Sequence, residues 1–185
     1  MQTIILICGA AGAGKDAAAA ALVNRAGFAR TGFADPLKDA VAIISGVPRA
    51  WFDDPERKDE LLEAPWVTWT PRGLLKFIGT DLIRDQLDPD TWVHALAARV
   101  VARPEVTRWV VPDCRFPNEL ALHTYLPLGY ECHAVKVVRP GHEPTSTGHE
   151  SDQDLPVGTV IVNDGTLCAL AAKALAFAAT VIREA

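Results

Sequence analysis

A surplus of positive charge is missing from this 185-residue sequence, which carries 18 basic and 23 acidic residues for a net charge of −5. A general polynucleotide binder needs a basic face, so that class is excluded, while a local cationic pocket for one small anion is not. Long apolar runs are missing too. The longest are short and alanine-rich, so no membrane span is expected. The start, MQTIILICG, lacks the basic region and cleavage site of a signal peptide and reads instead as a buried strand. Cysteine is scarce: Cys8, Cys114, Cys132 and Cys168 lie far apart with no C-x-x-C pair, the pattern of reduced thiols in a cytoplasmic protein. No spacing among them and the five histidines matches a zinc site. There is no internal repeat, and no low-complexity tract beyond an alanine-rich helix. What remains is an ordinary globular composition, half apolar and 22% charged, long enough for one domain with its own core.

Strand and helix signals alternate along the chain. Thr3–Cys8 is a short apolar run ending in glycine, as in a central parallel strand. Asp16–Arg25 is an alanine-rich helix and Phe28–Thr31 a short strand. Asp35-Pro36 opens a second helix, with Asp35 as N-cap, that stops at Gly46. The stretch 48–70 is less regular, with a short charged helix over Glu56–Glu63. Pro71–Ile78 and Pro89–Val101 are helical, the latter capped by Asp88. Strands then follow over Thr107–Val111, His133–Val138 and Thr159–Val162, with helices over Pro117–Leu126 and Thr166–Glu184. The unpatterned stretch Arg139–Pro156 is a functional or mobile loop. This alternation predicts an α/β fold with a parallel sheet, whose ligands sit beyond the carboxyl ends of the strands.

Gly9–Lys15 fits G-x-x-x-x-G-K directly after a strand and before a helix, the context that gives this motif its meaning. Glycines let successive N–H groups turn inward on phosphate oxygens, and the helix adds its positive end. Lys15 then reaches the β- and γ-phosphates of a nucleoside triphosphate. The next position usually carries a hydroxyl for Mg²⁺; here it is Asp16. A carboxylate can hold the metal directly or through water, orient an acceptor, or cap the helix.

A second acid follows at the end of an apolar strand in Val110-Val111-Pro112-Asp113-Cys114-Arg115. An acid there can serve the metal shell, and Arg115 can grip an anionic acceptor bidentately, unless the two simply form a strand-end ion pair. Lys38 lies in the first turn of a helix, where a cation is disfavoured unless answered by a ligand or an acid. Arg72 and Lys76 share a helix face. With Arg84 they bracket Gly79-Thr80-Asp81, which suits a phosphate, although a solvated basic face is the commoner explanation of such a pair taken alone. Trp92 can stack on a base or belong to the core.

Together these segments resemble the phage deoxynucleoside monophosphate kinases over most of the chain and in order. They are GxxxxGKD at Gly9–Asp16, ADPLKDA at Ala34–Ala40, GTDLI at Gly79–Ile83, DxxTWV at Asp88–Val93, VVPDxR at Val110–Arg115, VVRPG at Val137–Gly141 and VNDGTL at Val162–Leu167. The resemblance implies transfer of the ATP γ-phosphate to a deoxynucleoside monophosphate, with Mg²⁺. It implies a three-layer α/β/α P-loop kinase fold with a five-stranded parallel sheet, helices on both faces and a lid loop. Residues 1–185 would form a single domain with a helical monophosphate-binding part at about 35–105 and a lid at about 139–157.

Within that resemblance, Ala11, Gly12, Ala13, Gly14, Lys15 and Asp16 would bind ATP with Arg139, Asn163 and Gly165, and Asp16 would meet the metal. Lys15, Asp16, Asp113 and Arg115 would carry transfer. Lys38, Arg72, Lys76, Gly79, Thr80, Arg84, Trp92, Asp113, Arg115 and Glu119 would form the acceptor site. Family members often carry Thr where Ala17 stands and Gln where Lys76 stands, and the region 48–70 is short beside larger relatives. The partners implied are ATP and a deoxynucleoside monophosphate, with no polynucleotide and no membrane, in the cytoplasm (the host's, for a phage-encoded chain); a homodimer is left open. Phosphomevalonate kinases look similar around GKD and the later D-x-R, so a kinase of that kind is the close alternative. A nucleotide-binding regulator or plain NTPase is the more distant one.

Overall fold

A computed structural model describes residues 1–62, 68–142 and 155–184. The chain divides into two compact units, Met1–Gly32 with Ala97–Ala185, and Phe33–Leu96.

The first unit is built on five parallel strands: β1 (Gln2–Cys8), β2 (Ala29–Arg30), β3 (Arg108–Cys114), β4 (Tyr130–Val138) and β5 (Val160–Val162). Their order is β2-β3-β1-β4-β5. The run Thr3–Cys8 is buried throughout, because β1 is the central strand and both its faces are covered. Side chains alternate across it. Ile5 and Ile7 join a core with Val110, Val135, Val137 and Ile161, packed by the helices α1 (Lys15–Ala26) and α5 (Leu167–Glu184). Alanine makes that layer tight: Ala18, Ala19, Ala171, Ala174 and Ala178 are buried and let the helix backbones approach. On the other face Ile4, Leu6, Trp109 and Val111 are buried as fully, and the Arg103 guanidinium lies 5.2 Å over the Trp109 ring. Each such apolar side chain contributes about 1.5–3 kcal/mol by leaving water. The parallel arrangement sends Gly9, Arg115, Arg139 and Asn163 out of the same end of the sheet.

The second unit is helical. The helix α2 (Ala34–Ser45) is followed by 3-10 turns at Arg49–Phe52 and Arg57–Asp59. Then comes α3 (Pro71–Lys76), which widens into a π-helical stretch over Phe77–Arg84. The helix α4 (Thr91–Val101) begins in this unit. Its core is Leu37, Val41, Val47, Phe52, Leu62 and Leu74, with Trp51 and Trp92 packed against it.

Several local expectations change. The helix α2 starts at Ala34 with Phe33 at its N-cap position, and Asp35 falls in the first turn, where its carboxylate accepts from Arg49 at 3.2 Å. The charged segment Glu56–Glu63 gives only the turn Arg57–Asp59, with Glu63 outside the described residues. So short a helix has too few turns to repay nucleation. Pro117–Tyr125 is wound as 3-10 turns rather than as an α-helix. Of the expected lid, residues 143–154 lie outside the described residues, and Arg139–His142 is a turn closed by the His142 N–H donating to the Arg139 carbonyl at 3.0 Å.

Candidate active site

Strand β1 is followed by a loop from Gly9 to Gly14, and α1 begins at Lys15. Gly9 has φ +135°, and a methyl group there would be driven into the Val137 carbonyl oxygen of β4. Only glycine lets the chain leave the central strand at this angle. Gly14 holds the N-cap position of α1 and offers no side-chain cap, so the first N–H groups of the helix are open to an anion. Asp16 is thus not the helix cap. It sits within the first turn, and its Oδ1 accepts from the Arg30 guanidinium of β2 at 2.6 Å. Both groups are well exposed, so the pair adds little stability and either partner is available to a ligand.

The Lys15 ammonium folds back into the loop, donating to the Gly9 carbonyl at 2.7 Å and the Ala10 carbonyl at 2.8 Å. Burial pushes its pKa below the ordinary lysine value, the Arg115 guanidinium adds to that, and Asp16, Cys8 and Asp113 pull it back. The Lys15 ammonium therefore lies within the fields of Asp16, Asp113 and Arg115. Sheet register explains it: Cys8 of β1 lies beside Cys114 of β3, so the residues leaving both strands are neighbours. The Cys114 thiol, buried and flanked by Glu119, Cys8 and Asp113, is raised far above the ordinary range and serves as a packing group, not a nucleophile.

Glu119 is 2% exposed. Its Oε2 accepts from the Arg115 backbone N–H at 2.6 Å and the Phe116 N–H at 3.0 Å. It thereby fixes the turn that carries the exposed Arg115 side chain. On the opposite flank Asn163 receives no such burial but ties β5 to the phosphate loop: its side-chain amide donates to the Ala13 carbonyl at 2.9 Å, and its backbone N–H to the Val138 carbonyl at 2.7 Å. Asp164 beside it pairs with Lys173 at 2.7 Å, and Gly165 is exposed. Ala11 and Gly12 are exposed at the loop crest, Ala13 is buried beneath it, and Arg139 is exposed after β4.

In the second unit, Lys38 donates to Asp53 at 2.9 Å. Asp53 also receives Arg49, which reaches Asp39 at 2.7 Å as well as Asp35. Burial would raise the Asp53 carboxyl, but the hydrogen bonds from Arg49 and Lys38 hold it below the usual range. Arg72 grips Asp59 through both Nε (2.7 Å) and Nη2 (3.3 Å) on the surface. Lys76 is exposed, Thr80 half-buried, Gly79 buried and Arg84 only 7% exposed. The Trp92 indole N–H donates to the Gly79 carbonyl at 2.9 Å, which holds the ring against the π-helical turn. Such widened turns recur at functional sites. A separate recess of about 390 Å³ in this unit, lined by Ile44, Trp69, Leu74, Phe77, Ile78, Leu82 and Ile83, is apolar and takes in none of the expected site residues.

The sequence reading missed Arg30, which sits on a strand of two residues with no motif to mark it. It is found only through its pairing with Asp16. Among the described residues no three His, Cys, Asp or Glu side chains cluster to hold a metal. A divalent ion at Asp16 or Asp113 would draw its other ligands from phosphate and water, which is how Mg²⁺ is commonly held at phosphoryl-transfer sites.

Comparison with known proteins gives the family and the fold. The family model for deoxynucleotide monophosphate kinase matches residues 52–174. That span lies wholly beyond the phosphate loop, so the match is independent of that widespread motif. A putative deoxynucleotide monophosphate kinase of Acanthamoeba polyphaga mimivirus is 31% identical over 181 residues, covering 90% of this chain and 91% of that protein. The deoxynucleotide monophosphate kinase of Enterobacteria phage T4 is 31% identical over 110 residues, covering 57% of this chain and 44% of that protein. Among solved structures, a gluconokinase from Sinorhizobium meliloti 1021 superposes with a TM-score of 0.51 at 17% identity, covering 98% of this chain and 94% of that one, a likeness of fold alone. With its parallel five-stranded sheet and its phosphate loop, the chain has the α/β fold of the P-loop kinases and belongs to the deoxynucleotide monophosphate kinase family of ATP-dependent phosphotransferases.

Proposed function

We propose that this protein moves the γ-phosphoryl group of ATP to the phosphate of a deoxynucleoside monophosphate, giving ADP and a deoxynucleoside diphosphate, with Mg²⁺ as cofactor. The observation that carries the reading is that Lys15, within the fields of Arg115, Asp16 and Asp113, lies on a loop after β1 whose helix end is left open to phosphate, with the ends of β1 and β3 in register.

In the reaction an acceptor phosphate oxygen forms a bond to the γ-phosphorus as the bond to the β,γ-bridging oxygen breaks, and ADP leaves with that oxygen. The acceptor oxygen is already anionic, so the site has to position and neutralise more than to move protons. Residues 11–16 cradle the triphosphate. Lys15 leaves the Gly9 and Ala10 carbonyls for the β- and γ-phosphates. Mg²⁺, held by Asp16 with Asp113 close by, would screen the charge on the phosphate oxygens. Arg115, on the turn fixed by Glu119, receives the acceptor phosphate. Asn163 holds the loop from beneath, and Arg139 and Gly165 flank ATP. In the second unit Lys38, Arg72, Lys76, Thr80 and Arg84 are the candidate cations and hydroxyl for an acceptor, and Trp92, held at Gly79, the candidate ring for its base.

The test is an ADP-release assay against dAMP, dCMP, dGMP, dTMP and phosphomevalonate. Turnover with at least one nucleotide, well above the rate without acceptor, is expected. Turnover with phosphomevalonate alone, or a rate indifferent to every acceptor, sinks the reading.

A further inference from the structure

We propose that Gly32 is a positioning residue for Asp113, and that its missing side chain sets where that carboxylate stands during transfer. The inference rests on the role given to Asp113 in the proposed function and adds a residue that no motif marks.

Strand β2 lies beside β3, with Ala29 opposite Trp109 and Arg30 opposite Val110. The Thr31 N–H extends the pairing by donating to the Val110 carbonyl at 3.1 Å. The chain is thus pinned to β3 up to the residue before Gly32. A Cβ at Gly32 would stand 2.6 Å from Asp113 Oδ2, 3.0 Å from its Cγ and 3.0 Å from its Oδ1. All three atoms of the carboxyl group are in the way, and no other group is nearer. Gly32 is not in a left-handed conformation, so alanine is tolerated by the backbone itself. Thr31, 3% exposed, and the buried Gly32 leave the segment little room to retreat. The short Asp113 side chain is the part that gives, by turning about its own bonds. Gly32 therefore works as a stop against which the carboxylate rests.

The experiment compares Gly32→Ala, Asp113→Asn and the double variant in steady-state kinetics and thermal unfolding of the full chain. A misplacement of about 1 Å can cost on the order of a hundredfold in rate, so Gly32→Ala is expected to lower kcat by about ten- to a hundredfold, with KM for ATP nearly unchanged. In the Asp113→Asn background the same change should cost less than about twofold, because both act through one carboxylate. A merely structural glycine would lower the melting temperature and multiply its loss into both backgrounds, which overturns the proposal. So does a folded Gly32→Ala with wild-type kcat while Asp113→Asn is impaired. Wild-type kcat in Asp113→Asn removes the role of Asp113 and the proposal with it. If Gly32→Ala does not fold, the pair Gly32→Ala/Asp113→Ala decides: restored folding supports the contact, and continued misfolding refutes it.

Discussion

Replacing Gly9 by alanine tests the joint between the central strand and the phosphate loop. Two costs add at this position. The first is backbone strain, because a residue with a Cβ held at φ +135° loses on the order of 1–3 kcal/mol. The second is steric: the new methyl group meets the Val137 carbonyl oxygen well inside the 3.0 Å at which real Cβ contacts end. That oxygen belongs to β4, which is paired with β1 from Gln2 to Cys8 and cannot swing aside alone. Overpacking of this kind costs about 1–3 kcal/mol. The expected loss is therefore about 2–6 kcal/mol, or roughly 4–24 °C in melting temperature for a chain of this size. Gly27→Ala is the control. Gly27 caps α1 at φ +69° with nothing within 4 Å of an added Cβ, so it carries strain without a clash and should cost only about 1–2 kcal/mol. Urea unfolding of both variants, followed by circular dichroism, gives the difference. A Gly9→Ala protein no less stable than Gly27→Ala would refute the account of how the loop leaves the sheet.

Three further outcomes concern the loop lysine and a helix cap. Lys15→Ala should abolish transfer to every acceptor while melting within a few degrees of the parent, because the lysine's hydrogen bonds run to loop carbonyls rather than into the core; ATP-dependent turnover near the parent rate would exclude Lys15 from the chemistry. The lowered Lys15 pKa fixes a sign at alkaline pH: below it the buried ammonium is a burden on the fold, relieved as pH climbs towards the ordinary 10.5, so its share of stability is present above 10.5 and lost as pH falls through the folded value. ATP affinity should run the other way, weakening before pH 10.5 as the charge is lost, and calorimetry showing no alkaline decline would contradict this. Thr70→Ala removes the side chain that accepts from the Gly73 N–H at 3.1 Å at the start of α3, and should cost about 1 kcal/mol in unfolding experiments; no change would mean the cap is not needed.

The sheet was legible because its physics is local. A β-branched run ending in G-x-x-x-x-G-K can hardly be other than a buried strand feeding a phosphate loop, and the later strands carry their own apolar runs. The deviations come from partners distant in sequence. Asp35 has the chemistry of an N-cap, but its carboxylate belongs to a network with Arg49, and the N-cap position falls two residues earlier, at Phe33. The widening after Lys76 has no signature in Phe77–Arg84, whose apolar spacing suits an ordinary helix. At the site, Lys15, Asp16, Asp113 and Arg115 stood out because motif positions fall at strand ends. Arg30 and Gly32 did not, since a two-residue strand leaves no periodicity, and a glycine needed for the space it leaves cannot be told from one in a turn.

The most direct measurement follows the label itself. Incubated with γ-phosphate-labelled ATP, Mg²⁺ and the four deoxynucleoside monophosphates, the protein should place the label in a deoxynucleoside diphosphate. Label appearing only as inorganic phosphate, with or without those acceptors, would contradict the account.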